Sequence, residues 1–236
     1  MSFWHFIKKK LFNLKLTCNA CGREIFDGDY FCKDCKNALP VNDREICDHC
    51  GRALKVCSDY CITCKNFMVS VDKARSAFIY EGVIIKLILD FKYKNKRYLG
   101  KVFSEYLAPL YYKNYFNADV IAYIPSDKKT FKRRGYNQAE ILADELSKLI
   151  NLPVLKDVFI KKSPSDRTGK TRAERLKIKD TFKITDKKSV KDKVILLVDD
   201  VTTTGATAEA AARLFKEKGA KTVYLLTVAS VSSKIM

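Results

Sequence analysis

The 236-residue chain carries 45 Lys and Arg against 27 Asp and Glu, a formal net charge of +18 at pH 7, with 47% hydrophobic and 31% charged residues. This composition excludes a disordered polyelectrolyte, and no apolar run approaches the ~18 residues that a membrane-spanning helix needs. The charge predicts an attractive field for nucleic acid, anionic lipid or phosphorylated small molecules without choosing among them, and the length allows one large domain or a domain plus a small module.

Residues 1 to 17 place an aromatic cluster (Phe3, Trp4, Phe6) before Lys8, Lys9 and Lys10. That order is the reverse of a secretory signal, and no small-residue cleavage site follows, so a helical N-terminal arm on a cytoplasmic protein is expected. All nine cysteines then fall between Cys18 and Cys64. Eight of them make four Cys-x-x-Cys pairs: Cys18 and Cys21, Cys32 and Cys35, Cys47 and Cys50, Cys61 and Cys64. A shift of 29 residues superposes Cys18-Asn-Ala-Cys-Gly-Arg23 on Cys47-Asp-His-Cys-Gly-Arg52. Paired thiolates on a tight turn suit one tetrahedral cation, so two tandem ribbons holding two structural Zn2+ are expected over residues 18 to 66; adjacent and interleaved pairing both satisfy the count, and adjacent pairs sharing an ion are the favoured arrangement. Cys57 has no counterpart in the first repeat, where Gly28 falls.

From about Val69 the cysteines give way to apolar periodicity, which predicts a second domain over residues 67 to 236. A strand is expected over 74 to 80 and a helix over 83 to 91, with Ile84, Leu87, Ile88 and Phe91 on one face. A basic stretch (Lys92, Lys94, Lys96, Arg97) leads to a second helix over 98 to 112 and a buried strand over 120 to 124. The turn that follows, 125 to 130, offers Ser126, Asp127, Lys128 and Lys129 at a strand's carboxyl end. With a helix over 137 to 150 behind it, it can supply pyrophosphate with donors. Residues 161 to 179 hold eight basic residues and two acids and make a poor core segment.

Val194 to Val198 is apolar without alternation, as in a strand buried on both faces of a parallel sheet. It runs directly into Asp199, Asp200, Val201, Thr202, Thr203, Thr204 and Gly205. Small hydroxyl residues and a glycine ahead of a helix let backbone N–H groups of residues 202 to 207, Ala206 and Thr207 included, converge on a phosphate. Carboxylates repel phosphate but accept well from paired sugar hydroxyls, so Asp199 and Asp200 point to a ribose 5-phosphate. An alanine-rich helix over 206 to 218, a stop at Gly219 and a strand over 221 to 228 complete a β-α-β unit. The pattern as a whole is α/β, with a largely parallel sheet.

The stretch from Val194 to Ala206 resembles the phosphoribosyl pyrophosphate (PRPP) loop of type I phosphoribosyltransferases. Taken with Arg134-Gly-Tyr-Asn-Gln138 and the cysteine module, it makes the chain similar to the ComF family, whose members have a phosphoribosyltransferase-like domain behind a double zinc ribbon and are linked to DNA uptake in natural transformation. The resemblance covers nearly everything from Cys18 onward. It implies that Arg134 and the segment around Thr168, Gly169, Lys170, Thr171 and Arg172 belong to a mobile basic loop closing over PRPP; near Arg167 the family usually has glutamine, and this sequence departs from it.

Residues 65 to 236 contain neither His nor Cys, which excludes Ser-His-Asp and Cys-His hydrolases from this domain. Phosphoribosyl transfer survives that exclusion, because it rests on positioning and charge neutralisation, aided by Mg2+ carried with PRPP. No catalytic residue or acceptor can be assigned. The resemblance implies a PRPP-binding protein of DNA uptake that handles single-stranded DNA, with a DNA-uptake helicase as a further partner; the alternative is a PRPP-dependent nucleobase or amine phosphoribosyltransferase with no DNA role. Tyr93, Tyr98, Phe131 and Tyr136, interleaved with the basic clusters, are the candidate stacking residues for the first.

Overall fold

The computed structural model describes residues 16–26, 29–43, 45–54, 58–62, 64, 69–161 and 181–233. The N-terminal arm before residue 16, Cys57 and the whole of 162–180 lie outside the described residues. The chain forms two compact units, Met1–Leu39 and Pro40–Met236. The sequence places its boundary near residue 66; here the second four-cysteine group falls within the larger unit.

The small unit pairs β1 (Leu16–Thr17) with β2 (Glu24–Ile25) and adds a short helix, α1 (Lys33–Asn37). The 29-residue repeat is visible in its hydrogen bonds. Cys18 N donates to Arg23 O and Gly22 N to Cys18 O, both at 2.8 Å, and Cys47 N to Arg52 O at 2.9 Å and Gly51 N to Cys47 O at 2.8 Å repeat the pattern. The Thr17–Glu24 strand pair likewise recurs as a bridge between Ile46 and Ala53.

In the large unit β3 (Lys73–Ile79), β4 (Val120–Tyr123), β7 (Val194–Thr202) and β8 (Thr222–Ser230) form a wholly parallel sheet in the order β3-β8-β7-β4. Central β7 is inaccessible from Ile195 to Val198 on both faces, as its unbroken apolar run requires. Ile195 and Leu197 join Val223 and Leu225 in a core with α6 (Ala206–Glu217), the antiparallel hairpin β5 (Phe159–Lys161) and β6 (Phe182–Ile184), and Cys47, Cys50 and Cys61. By alternation Leu196 and Val198 point to the other face, where α3 (Leu99–Lys113) and α5 (Gln138–Ile150) contact the sheet and α2 (Gly82–Tyr93) packs on α3. The expected face of α2, Ile84, Leu87, Ile88 and Phe91, is fully buried.

The basic turn after β4 is more ordered than a loop. Residues Lys128–Arg134 form a helix, α4, because Asp127 caps it: its Oδ1 accepts from Thr130 N at 2.8 Å and its Oδ2 from Thr130 Oγ1 at 3.0 Å. Gly135, in the left-handed region at φ 77°, ends it. Among the described residues no helix is long and apolar enough to cross a membrane.

Candidate functional site

The carboxyl end of β7 delivers the Asp pair and the threonine loop together. Strand alternation sends consecutive side chains to opposite faces. Asp199 therefore lies on the α6 side, lining a pocket of about 40 Å3 with Val201 and residues 202 to 208. Asp200 turns to the α2 side, where Lys92 Nζ stands 2.7 Å from its Oδ1. The two acids are thus not equivalent partners of one sugar edge.

The pocket is small beside the several hundred Å3 that enclose a whole small molecule, and it suits a single oxyanion group. Gly205, at φ 85°, lets the chain reverse into α6. The first bond of the helical ladder runs from Glu209 N to Gly205 O at 2.9 Å, so the N–H groups of residues 206 to 208 lie ahead of it. Ala206 N makes one long contact, 3.3 Å, to Thr204 Oγ1. These donors and the positive end of a 12-residue helix face the pocket from one side.

Burial and then the neighbouring Asp200 push the Asp199 carboxyl up from an ordinary 3.8 to about 8, against the pull of Lys92 and Lys161. A carboxyl that stays largely protonated near neutrality adds little repulsion to a phosphate beside it. Lys161, at the end of β5, also sits 3.5 Å from Asp127 Oδ2. Of the expected pyrophosphate turn, then, Asp127 is engaged as a helix cap and by Lys161, Ser126 is half-buried, and Lys128 and Lys129 are exposed. Thr168, Gly169, Lys170, Thr171 and Arg172 lie outside the described residues.

Arg134 is placed beside α2 by the segment that follows α4. Its Nη1 donates to Gln138 Oε1 at 2.8 Å, its Nη2 to Tyr93 Oη at 2.9 Å, and its guanidinium lies 4.7 Å from the centre of the Tyr93 ring. Arg133 approaches the same ring at 5.6 Å, and Arg97 covers the Tyr136 ring at 4.5 Å. Asn137 fixes the group to the sheet by donating from Nδ2 to Ile124 O at 3.0 Å while its Oδ1 caps α5. Three arginines and two tyrosines thereby collect near the carboxyl ends of β4 and β7. Lys92 and Lys161 carry no sequence signal as site residues, since one reads as part of a basic run and the other as the end of a short strand.

The eight cysteines form two groups, Cys18, Cys21, Cys32 and Cys35, and Cys47, Cys50, Cys61 and Cys64, each with its sulfurs within 4.8 Å of one another. Adjacent pairs therefore share a site. A tetrahedron with Zn–S arms of ~2.3 Å has edges of about 3.8 Å, against 3.8 Å between Cys21 and Cys32 and 3.5 Å between Cys50 and Cys61. The donor set and spacing fit zinc.

Residues 130–236 match the phosphoribosyl transferase domain. Among curated proteins the chain is 30% identical over 146 residues to competence protein ComFC of Bacillus subtilis (61% of this chain, 58% of that one). It is 29% identical over 145 residues to competence protein F of Haemophilus influenzae (58% and 63%), and 31% identical over 151 residues to ComFC of Streptococcus pneumoniae (63% and 64%). The chain is thus similar in sequence to curated competence proteins of the ComF type. It spans about three fifths of the length of these curated relatives. Among solved structures it is similar to the glutamine PRPP amidotransferase of B. subtilis (TM-score 0.44, 18% identity, 59% of this chain and 30% of that one). It is also similar to a purine phosphoribosyltransferase of Pyrococcus horikoshii (TM-score 0.36, 21% identity, 58% and 86%). The chain thus joins two four-cysteine groups, at residues 18–35 and 47–64, to a type I phosphoribosyltransferase fold with a parallel sheet.

Proposed function

We propose that this chain is a ComF-type protein that binds PRPP, or a related phosphoribosyl ligand, at the end of β7 and acts in DNA uptake by handling single-stranded DNA in the cytoplasm. The observation that carries the first half is the loop of residues 202 to 207 feeding the N-terminus of α6, with a single-oxyanion pocket and Asp199 at its rim. The 5-phosphate sits on that loop, Asp199 accepts from the ribose, and Asp200, held by Lys92, completes the charge balance on the other side. The turn at 126 to 129, Lys161 and the basic segment around 168 to 172 neutralise pyrophosphate, and Mg2+ arrives with the ligand. Two Zn2+ serve structure.

For the second half, the arginine and tyrosine cluster around Tyr93 and Arg134 offers phosphate contacts and ring faces beside the same sheet edge. A DNA-uptake helicase is the partner such a role calls for.

Calorimetric titration with PRPP and Mg2+ tests the ligand, with Asp199→Asn and Asp200→Asn as controls. Binding in the micromolar range that weakens in both variants is expected, whereas no binding, or binding indifferent to them, refutes it. A salt series on a labelled oligonucleotide tests the DNA role, which fails if single strands do not bind even at low salt. Release of pyrophosphate on adding a nucleobase or amine would instead support a transferase.

A further inference from the structure

The first turn of α6 carries an acid where a phosphate-binding helix is poorly served by one. Glu209 spends its charge elsewhere: its carboxylate accepts from Ser70 N at 3.0 and 3.1 Å and from Val71 N at 3.4 Å. Val71 is wholly buried in the core that holds Cys47, Cys50 and Cys61. Its carbonyl meets the Nε2 of His49, which lies between Cys47 and Cys50 in sequence, and His49 O in turn accepts from Ala74 N at 2.7 Å. The next residue, Asp72, accepts from Val223 N at 2.7 Å and pairs with Lys216 Nζ at 2.7 Å, near the other end of α6. The segment 70–72 therefore clasps the phosphate-loop helix at both ends, and it is itself held by the turn of the second four-cysteine group.

We infer that Glu209 is a positioning residue that couples the second four-cysteine group, and not the first, to the loop of residues 202 to 207, so that metal at Cys47, Cys50, Cys61 and Cys64 sets the shape of the phosphate site. The coupling rests on the phosphoribosyl reading for its purpose but not for its geometry. A hydrogen-bonded chain from metal turn to Val71 to Glu209 gives the group a direct hold on the helix N-terminus, and the first group lies in the other compact unit.

Hydrogen exchange of the zinc-loaded full chain reads the coupling without any ligand. In Glu209→Ala, amides in 69–72 and 202–207 are expected to exchange about tenfold faster while the zinc content is unchanged. Glu209→Gln keeps one carbonyl acceptor for Ser70 N and should restore most of the protection, which a charge effect alone would not. In Cys18→Ser/Cys21→Ser, where only the second group holds metal, chelation should release the same loop. Affinity for ribose 5-phosphate should fall about tenfold in Glu209→Ala. The inference is overturned if 69–72 loosens in Glu209→Ala while 202–207 does not, or if chelating the second site leaves the loop protected. If wild type binds no phosphoribosyl ligand but the exchange responds as expected, the functional reading fails and the coupling stands.

Discussion

Gly22 and Gly51 occupy equivalent places in the two repeats, and alanine at each should have very different effects. Both are in the left-handed region, at φ 80° and 66°. Alanine there costs about 1–2 kcal/mol at either site. A Cβ on Gly22 meets nothing within 4 Å, so Gly22→Ala should show that cost alone and only in the small unit. On Gly51 the same atom would lie 2.6 Å from Ala74 O and 3.0 Å from Arg75 Cα, both backbone atoms of β3. Neither can give way without disturbing the β3–β8 ladder, which adds an overpacking cost of about 1–3 kcal/mol. A total near 3 kcal/mol corresponds to a fall of about 6–12 °C in the melting temperature of a unit this size. Calorimetry of the zinc-loaded chains, with zinc content measured alongside, would resolve the two. Equal losses, or a Gly51→Ala chain that melts with wild type, would refute the close packing of the second turn on β3.

Asp199 makes stability depend on pH in a stated direction. Its carboxyl is raised from 3.8 to about 8 on folding, so the folded chain holds the proton more tightly. That contribution is fully present below about pH 4 and is lost as pH rises through about 8. Asp199→Asn, which cannot ionise, should gain stability over wild type progressively between those limits, on the order of a few kcal/mol by pH 8; parallel pH profiles in urea denaturation would count against it. Lys92→Met leaves the mostly buried Asp200 without its cation and should cost about 2–3 kcal/mol, and Lys92→Met with Asp200→Asn should recover most of it. A chain beginning at Pro40 should fold and stay monomeric, whereas one beginning at residue 67 should aggregate, as light scattering would report.

Much of this arrangement is legible in the residues because it depends on local pattern. The apolar run of 194–198 reads directly as a central strand, the face of α2 follows from a 3.6-residue period, and the cysteine spacing gives two four-thiol groups. What escapes the sequence is set by packing across the chain. The carboxylates of Asp199 and Asp200 diverge because β7 stays extended through Thr202, beyond the apolar run that marks the strand. The basic turn becomes a helix through one side chain, Asp127, whose role as a cap competes with the charge reading of its neighbours. Lys92, Lys161 and Glu209 acquire partners at distances of 34 to 139 residues along the chain, which no window of sequence can display.

The boundary at residue 66 fails to capture how the large unit is held together for a related reason: it follows composition, whereas a parallel sheet is bounded by its edges. The outer edge of β3 has backbone groups that β8 does not reach. They are met by the segment leading into the second four-cysteine group and by its turn: Asn42 N donates to Ala77 O at 2.9 Å, Ile79 N to Pro40 O at 2.8 Å, and Ala74 N to His49 O at 2.7 Å. Asn42, buried, adds a side-chain bond to Gly51 O at 2.7 Å. On the far side Ile121 of β4 bridges Val154 and bonds Pro153 O and Leu155 N. Both edges are thus closed by chain that has no strand of its own to offer, and an open edge is what makes a small parallel sheet prone to pair with another copy. Two repeats that are alike in sequence have therefore diverged in task. The first holds a separate unit together, and the second closes the sheet whose central strand carries the phosphate loop.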